Sequence, residues 1–178
     1  MCRIRADGLQ NMQRIIYFIV VLVILTACHS EKIRDKSINI VINDAQSYKY
    51  DLINGVYTVY FMDRPDTAIS FHLSPDEATK IVDAYYDLEI DNIKRVDKES
   101  GTILIKDNCM TMPKPFTILH VRSKIKLQDI QIDEGCDDFS FGNIKSGKSV
   151  KQFLDFIWTI LKSKPEIKNA PHSNVMYI

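Results

Sequence analysis

The chain has 178 residues, with 23 Lys and Arg against 23 Asp and Glu, so its formal net charge is zero. This balance excludes the polybasic surface that nucleic-acid binding needs, and we therefore expect no nucleic-acid partner. Hydrophobic residues make up 46% of the chain, with only six Gly and six Pro. These values exclude a disordered chain and favour one globular domain of ordinary size.

The first element is an apolar run from Ile15 to Leu25. At ~1.5 Å per residue the run covers roughly half of a ~30 Å hydrocarbon core, so it is too short to span a membrane comfortably. A basic start followed by such a run is typical of a signal peptide, and here the basic residues are Arg3, Arg5 and Arg14. We predict that translation starts at Met12 rather than Met1, because Arg14 already supplies the positive charge that a signal peptide needs before its apolar run.

The residues that follow the run are Leu25-Thr26-Ala27-Cys28. This motif resembles the lipobox of bacterial lipoproteins, in which a diacylglyceryl group is attached to the cysteine and cleavage occurs just before it. The resemblance covers the leader only. It implies a signal peptide over residues 1–27 and a lipid anchor on Cys28 that holds the chain on a membrane of the cell envelope. In the enterobacterial members of this class an Asp after the cysteine favours the inner membrane, so His29 implies the outer membrane. The alternative is an uncleaved anchor helix that ends in Cys28.

The next segment, residues 28–37, is polar after the cysteine and predicts a tether that reaches ~30 Å when extended. Strand-like runs follow it, and the Asn54-Gly55 turn predicts a hairpin between two of them. The predicted strands of this half are Ile38–Ile42, Tyr48–Tyr50, Val56–Met62 and Ala68–Leu73.

The clearest helix start is Ser74-Pro75-Asp76-Glu77. It supplies an N-cap Ser, Pro at the first helical position and Glu at the third, which together form a capping box. Apolar residues then recur at helical spacing and predict one buried face. They are Ala78, Ile81, Val82, Tyr85 and Leu88.

A predicted strand over Thr102–Lys106 precedes a predicted hairpin of Phe116–Val121 and Ile125–Ile132, with its turn near Arg122-Ser123. If the turn is centred there, the residue numbers of each facing pair add to 245. The residue numbers of Cys109 and Cys136 also add to 245. The hairpin arms would therefore bring the two sulfurs face to face. We predict a Cys109–Cys136 disulfide worth ~3–4 kcal/mol, in an oxidising compartment. The absence of a C-x-x-C motif disfavours a redox pair.

The last predicted helix begins at Ser149, where Gln152 completes a second capping box, and it ends before Pro165. Residues 165–178 are predicted to form a tail. The order of strands, helix, strands and helix leaves too few helices for parallel crossovers. We therefore predict an α+β fold, a largely antiparallel sheet with two helices, in one disulfide-tied domain over residues 38–164.

The segment from Gly142 to Ser149 matches the phosphate-binding pattern G-x-x-x-x-G-K-[ST] through Gly142, Gly147, Lys148 and Ser149. Its context does not fit, because only one helix and a tail follow it, whereas a phosphate-binding loop lies early in a parallel α/β domain. We interpret the match as a false positive, a turn into the last helix that binds no nucleotide.

Other chemistry-bearing residues form no recognised pattern. The carboxylates of residues 133–138 lack the spacing of a calcium loop and predict a solvated acidic turn. The histidines (His29, His72, His120 and His172) lack zinc spacing, and no G-x-S-x-G motif is present. The sequence thus predicts no catalytic residue, metal or cofactor. Eight tyrosines leave two alternatives, a sheet face that stacks on a sugar or a protein, or half-buried core positions.

These observations favour a non-catalytic binding module, with an envelope protein or a glycan as its partner. The rival hypothesis is an envelope hydrolase whose site is assembled from residues distant in sequence. A pocket that gathers perturbed carboxylates or histidines would favour the hydrolase, and a flat aromatic patch would favour the binding module. The body of the chain resembles small uncharacterised lipoproteins of Gram-negative bacteria, which implies no activity.

Overall fold

The computed structural model describes residues 34–94, 101–111, 114–124 and 126–175. The predicted signal peptide, Cys28 and most of the predicted tether lie outside the described residues, as does Ile125. By its contacts the chain divides into Met1–Arg34 and a compact unit, Asp35–Ile178.

The unit is built on one seven-stranded sheet with the strand order β4-β3-β2-β1-β6-β7-β5. Neighbouring strands are antiparallel except β5 and β7, which are parallel. The predicted α+β fold with a largely antiparallel sheet is therefore confirmed. The strands are β1 Asn39–Asp44, β2 Tyr48–Asp51, β3 Val56–Val59, β4 Thr67–Ser70, β5 Ile103–Ile105, β6 Phe116–Arg122 and β7 Leu127–Asp133.

In the described part of the chain, three helices accompany the sheet: α1 Pro75–Asp87, α2 Ile144–Lys162 and the short α3 Pro165–Lys168. A 3-10 turn, Ile90–Asn92, follows α1. Alternate residues of β6 and β7 are buried, as expected for strands with one face against a core. The core joins this face of the sheet to the apolar stripes of α1 and α2, and its fully buried members include Ile42, Tyr85, Leu119, Ile130, Phe153 and Ile157.

The start of α1 is the capping box that the sequence predicts. The Ser74 hydroxyl accepts a hydrogen bond from the Glu77 backbone N–H at 3.2 Å, and the Glu77 carboxylate accepts one from the Ser74 N–H at 2.8 Å. Lys164 beyond the end of α2 also contacts Glu77, with 2.6 Å between Nζ and Oε2. This ammonium and the Ser74 N–H hold the pKa of Glu77 below its usual range. One side chain thus caps α1 and ties it to the end of α2.

The start of α2 differs from the prediction. The helix begins at Ile144 with Asn143 as its N-cap residue, so Ser149 lies inside the helix and caps nothing. Gly147 and Val150 are buried, and the Gly147 N–H donates to the Asn143 carbonyl at 2.6 Å. The apolar stripe therefore continues upstream of Ser149, because Gly147 lets the first turns of the helix lie against the ring of Phe139.

The hairpin of β6 and β7 has a different register from the predicted one. Phe116 faces Asp133 and Arg122 faces Leu127, so facing numbers add to 249 rather than 245. The turn lies further along the chain, where the Ser123 N–H donates to the Lys126 carbonyl at 2.8 Å. The other predicted strands of the sheet are present, with ends that differ by a few residues.

The predicted disulfide nevertheless forms, with the Cα atoms of Cys109 and Cys136 6.0 Å apart. The pairing is right but the reason given for it is wrong. The β6–β7 ladder ends at Phe116 and Asp133, and Cys109 lies in the connection between β5 and β6. This connection, rather than an extended hairpin arm, brings Cys109 to Cys136.

The segment predicted as a tail packs back on the sheet instead. After α3, the Ser173 hydroxyl donates to the Tyr60 carbonyl at 2.7 Å, and the Ser173 N–H donates to the Tyr48 hydroxyl at 3.2 Å. Asn174 accepts a hydrogen bond from the Met62 N–H at 2.9 Å. These bonds satisfy backbone groups near the end of β3, and the packed unit therefore continues beyond residue 164 to at least Val175.

Candidate functional site

A cleft of about 340 Å³ with a largely apolar lining lies beside α1. Pockets that bind small molecules begin at about 300 Å³ and are mostly apolar with a few polar groups. We call this space the α1 cleft and define it by its floor, which consists of Ile38, Ile40, Leu52, Phe71 and Ile81. All five floor residues belong to the buried core.

The predicted Asn54-Gly55 turn forms part of the wall of the α1 cleft. Gly55 has a φ of 59°, in the left-handed region that favours glycine. Its carbonyl accepts a hydrogen bond from the Phe71 N–H at 2.8 Å, and a Cβ atom here would overlap the Phe71 carbonyl. The turn and the start of the β4–α1 connection are thus held together, and both contribute residues to the cleft.

The mouth of the α1 cleft is polar. Lys36 comes from the segment that enters the domain, and this segment is fixed by hydrogen bonds between the Asp35 backbone and the Tyr86 hydroxyl. Thr79 and Asp83 come from α1, one turn apart, and His72 from the β4–α1 connection. The α1 cleft therefore combines an apolar floor with a few polar groups at its edge.

The carboxyl groups with shifted pKa values lie elsewhere. Burial, and then the charge of Glu134, raise the pKa of Asp44 to about 6. Burial also opposes the ionisation of Asp129, but hydrogen bonds from His120 and Arg122 outweigh it and lower the pKa of Asp129. Neither residue lines the α1 cleft. The cleft is thus not the pocket of perturbed carboxylates that would favour a hydrolase.

His120 and Asp129 form a pair that sequence reasoning missed. The His120 Nδ1 atom lies 2.7 Å from an Asp129 carboxylate oxygen, and the Arg122 guanidinium lies 2.7 Å from the same oxygen. The Nε2 atom lies 3.0 Å from the Asn43 side-chain nitrogen. An amide nitrogen is not a nucleophile, so these groups do not make a Ser-His-Asp arrangement. Only the register, in which His120 faces Asp129, could have revealed the pair.

Asp107 is a second residue that sequence reasoning missed. Its carboxylate accepts hydrogen bonds from the Cys136 N–H at 2.9 Å and the Cys109 N–H at 3.2 Å, and it pairs with Lys114. Burial raises the pKa of this carboxyl group, but the Lys114 ammonium and the two N–H groups outweigh it and lower the pKa. Asp107 and the two sulfurs lie close enough to hold a metal, but the sulfurs are bonded to each other. The group therefore stabilises the disulfide loop.

The predicted acidic turn takes part in the same network. Asp133 lies 3.2 Å from the Lys114 ammonium, and Asp137 lies 3.4 Å from that of Lys151. Asp133 is thus paired in the network of Lys114, whereas Glu134, Asp137 and Asp138 are exposed to solvent, as predicted.

The residues of the phosphate-binding pattern do not form a loop. Gly142 turns the chain with a φ of 90°, but Gly147, Lys148 and Ser149 all lie within α2. A phosphate-binding loop instead points its backbone N–H groups at a common anion between a strand and a helix. The absence of nucleotide binding stays a prediction.

Several of the tyrosines lie in the core. Tyr50 stacks on Tyr57 with 4.7 Å between ring centroids, and Trp158 meets Tyr50 edge-on at 5.0 Å. Tyr50, Tyr57 and Tyr85 are all buried. For these residues the structure supports half-buried or core positions, and not an exposed platform that stacks on a sugar.

None of the helices in the described part of the chain combines the length and the apolar character that crossing a bilayer requires. No protein-family model matches the chain, and no curated protein shows significant similarity to it.

Proposed function

We propose that this chain is a lipid-anchored lipoprotein of the cell envelope, attached through Cys28, and that its domain binds an apolar ligand in the α1 cleft without catalysis. The α1 cleft is the observation that carries the proposal. Above its floor, the exposed Ile53 and the half-buried Leu73 and Val82 offer apolar surface to a ligand, and burial of such surface gains ~25 cal/mol per Å². Its polar groups stand at the mouth, where they can orient a ligand that the floor holds.

The character of the cleft also indicates the kind of ligand. An apolar floor suits an aliphatic group better than a sugar, whose hydroxyl groups would lose water without gaining hydrogen bonds. The buried positions of Tyr50, Tyr57 and Tyr85 remove three of the rings on which a sugar would stack. Of the two partner classes expected from the sequence, a glycan is therefore the less favoured.

The proposal of a lipid anchor rests on Leu25-Thr26-Ala27-Cys28 and is tested at Cys28. We expect the intact mass of the chain from its native membrane to equal that of residues 28–178 plus a diacylglyceryl group, with or without a third acyl chain. Cys28→Ala should leave a longer, unacylated precursor. An unacylated wild-type chain in the membrane fraction would refute the anchor.

The proposal of a binding cleft is tested with a fluorescent apolar probe, anilinonaphthalenesulfonate, and unlipidated residues 29–178, which contain the whole compact unit. We expect saturable binding to the folded protein. Ala78→Trp places an indole in the cleft wall and should weaken binding at least about tenfold, which corresponds to ~1.4 kcal/mol. Lys80→Trp is the matched control, because Lys80 is exposed on α1 and does not line the cleft.

Equal binding by Ala78→Trp and Lys80→Trp would place the probe elsewhere and contradict the proposal. So would the absence of saturable binding to the wild type. Thermal unfolding of both variants shows whether each has kept the fold.

A further inference from the structure

We propose that the ligand of the α1 cleft is a single-chain lipid of the fatty acid class, with its acyl chain on the apolar floor and its carboxylate beside Lys36. This inference rests on the proposed function and adds the chemical class of the ligand. It follows from the capacity of the cleft, the charge at its mouth and the place at which the chain enters the domain.

The capacity of the cleft fits one acyl chain. A methylene group takes up about as much space as a water molecule, roughly 30 Å³, so 340 Å³ holds about ten carbon atoms of one chain. The two or three chains of a lipidated cysteine would exceed this volume. Sheltering one of them would leave the others in contact with water, which makes a separate single-chain lipid the better occupant.

The mouth of the cleft supplies a positive charge. Lys36 is exposed at the mouth, and among the described residues its ammonium has no ion-pair partner. Such a group attracts a carboxylate that stays in contact with water while the acyl chain is buried. Asp83 also lines the cleft, and because like charges repel, a head group with a single negative charge is favoured over one with several.

The proposed anchor is separated from the cleft by only a short segment of sequence. Seven residues, 29–35, separate Cys28 from Lys36, and even when fully extended this segment reaches only about 30 Å. Lys36 and Ile38 both line the cleft. A chain anchored at Cys28 would therefore hold Lys36 within about 30 Å of the membrane, a distance that favours a lipid as the ligand.

The test uses the full lipidated chain in cells that have taken up a dodecanoic acid analogue with a photoreactive group near its methyl end. After irradiation, peptides of the purified protein are analysed by mass spectrometry. We expect an adduct with the mass of the free acid on peptides from α1 or from the Asn54-Gly55 turn. Ala78→Trp should reduce this adduct at least about tenfold, and Lys80→Trp should leave it unchanged.

Lys36→Gln tests the head group without filling the cleft. We expect it to reduce labelling by the acid about two- to fivefold, the range for one exposed ion pair. Labelling by the matching photoreactive alcohol, dodecanol, should stay the same. Equal labelling of wild type and Lys36→Gln by the acid would overturn the assignment of the carboxylate to Lys36.

Two further results would overturn the proposal. A crosslink that joins a cleft peptide to the Cys28 peptide would identify the protein's own anchor as the occupant. Lack of any cleft adduct, with anilinonaphthalenesulfonate still bound as described above, would show that the cleft takes another apolar ligand, such as a side chain of a partner protein. In both cases the proposed binding function would stand, whereas failure of that dye to bind would remove both proposals.

Discussion

Tyr85 and Gln128 are polar residues that the core encloses almost completely, at 1% and 4% exposure. The Tyr85 hydroxyl donates to the Gln128 side-chain oxygen at 2.7 Å, and the Gln128 nitrogen donates to the Ile90 carbonyl at 3.1 Å. Each bond satisfies a group that has no access to water, so loss of one partner leaves the other unsatisfied. The chain of bonds joins α1, β7 and the 3-10 turn inside the core.

We therefore expect Tyr85→Phe to lower the free energy of unfolding by ~1–3 kcal/mol, the cost of an unsatisfied buried acceptor. Tyr60→Phe is the control and should change it by less than ~0.5 kcal/mol, because no hydrogen bond of the Tyr60 hydroxyl occurs within the described residues. Urea titration of the three proteins measures both values. Equal stabilities of Tyr85→Phe and wild type would show that the bond contributes nothing.

Asp44 makes the stability of the fold depend on pH. It ends β1 on the face that carries Ile40 and Ile42, and burial and the charge of Glu134 raise its pKa to about 6. Between the unfolded pKa of ~4 and about 6, the folded state holds the proton that the unfolded state has lost. The free energy of unfolding therefore falls as pH rises through this interval. Above the interval, the loss caused by Asp44 no longer changes with pH.

Asp44→Asn removes the charge and should be more stable than wild type by ~1–2 kcal/mol at pH 8, a range that allows for the partial exposure of the group. Near pH ~3.5, where the carboxyl group is protonated in both states, the two proteins should be equally stable. Denaturant titration at both pH values checks this, with exposed Asp138→Asn as the control. A difference that does not depend on pH would contradict the argument.

At the scale of the elements, α1 and α2 begin for different physical reasons. The start of α1 is set by hydrogen bonds among four consecutive residues, Ser74 to Glu77, so the local sequence is enough to predict it. The start of α2 depends on the fit of Gly147 against Phe139, a buried residue outside the helix. The capping pattern at Ser149 is present in the sequence but is not used.

Gly147→Ala tests this account of α2. Alanine is a better helix former than glycine by ~1 kcal/mol, yet its Cβ would overlap the Phe139 ring. We expect a net loss of ~1–3 kcal/mol from overpacking, and the loss should disappear in a Phe139→Ala background. Thermal or urea unfolding of the four proteins of this double-mutant cycle measures the coupling.

Ser149→Ala is the companion variant. Loss of an N-cap would cost ~0.5–2 kcal/mol, but inside the helix the change should lie within ~0.5 kcal/mol of wild type. A loss as large as that of a cap would place the start of α2 at Ser149.

Lys148→Ala tests the interpretation of the phosphate-binding pattern. Lys148 lies inside α2, so we expect titration calorimetry with ATP and Mg²⁺ to show no binding to either wild type or Lys148→Ala.

At the scale of the whole molecule, the disulfide closes a covalent loop that includes two strands of the sheet. Cys109 and Cys136 are 27 residues apart in sequence, and the loop between them contains β6 and β7. Replacing both cysteines, in Cys109→Ala/Cys136→Ala, should lower the free energy of unfolding by ~3 kcal/mol, because the unfolded chain gains loop entropy. Reduction of the wild type should cause a similar loss, and a loss under ~1 kcal/mol would show that the Asp107 and Lys114 contacts hold the loop by themselves.

The sequence alone was enough for several features that depend on neighbouring residues, but not for the turn between β6 and β7 or the start of α2. The capping box predicted the start of α1, composition and length predicted one globular domain, and the order of the predicted strands and helices predicted an α+β fold. The leader motif at Cys28 also belongs to the sequence alone and stays a prediction, since it lies outside the described residues. Such signals are local because a hydrogen bond to a cap, or a period of two or 3.6 residues, needs no distant partner.

The tertiary structure decided the features that depend on residues far apart in the chain. The period of a strand sets which face each residue occupies but not which residue faces it, because the register follows from the turn. The residue numbers of facing pairs add to 249 instead of the predicted 245. This even shift leaves each side chain on the same face of the sheet, but it brings His120 opposite Asp129. The α1 cleft arises in the same way, since its residues meet only when α1, the entering segment and the Asn54-Gly55 turn pack together.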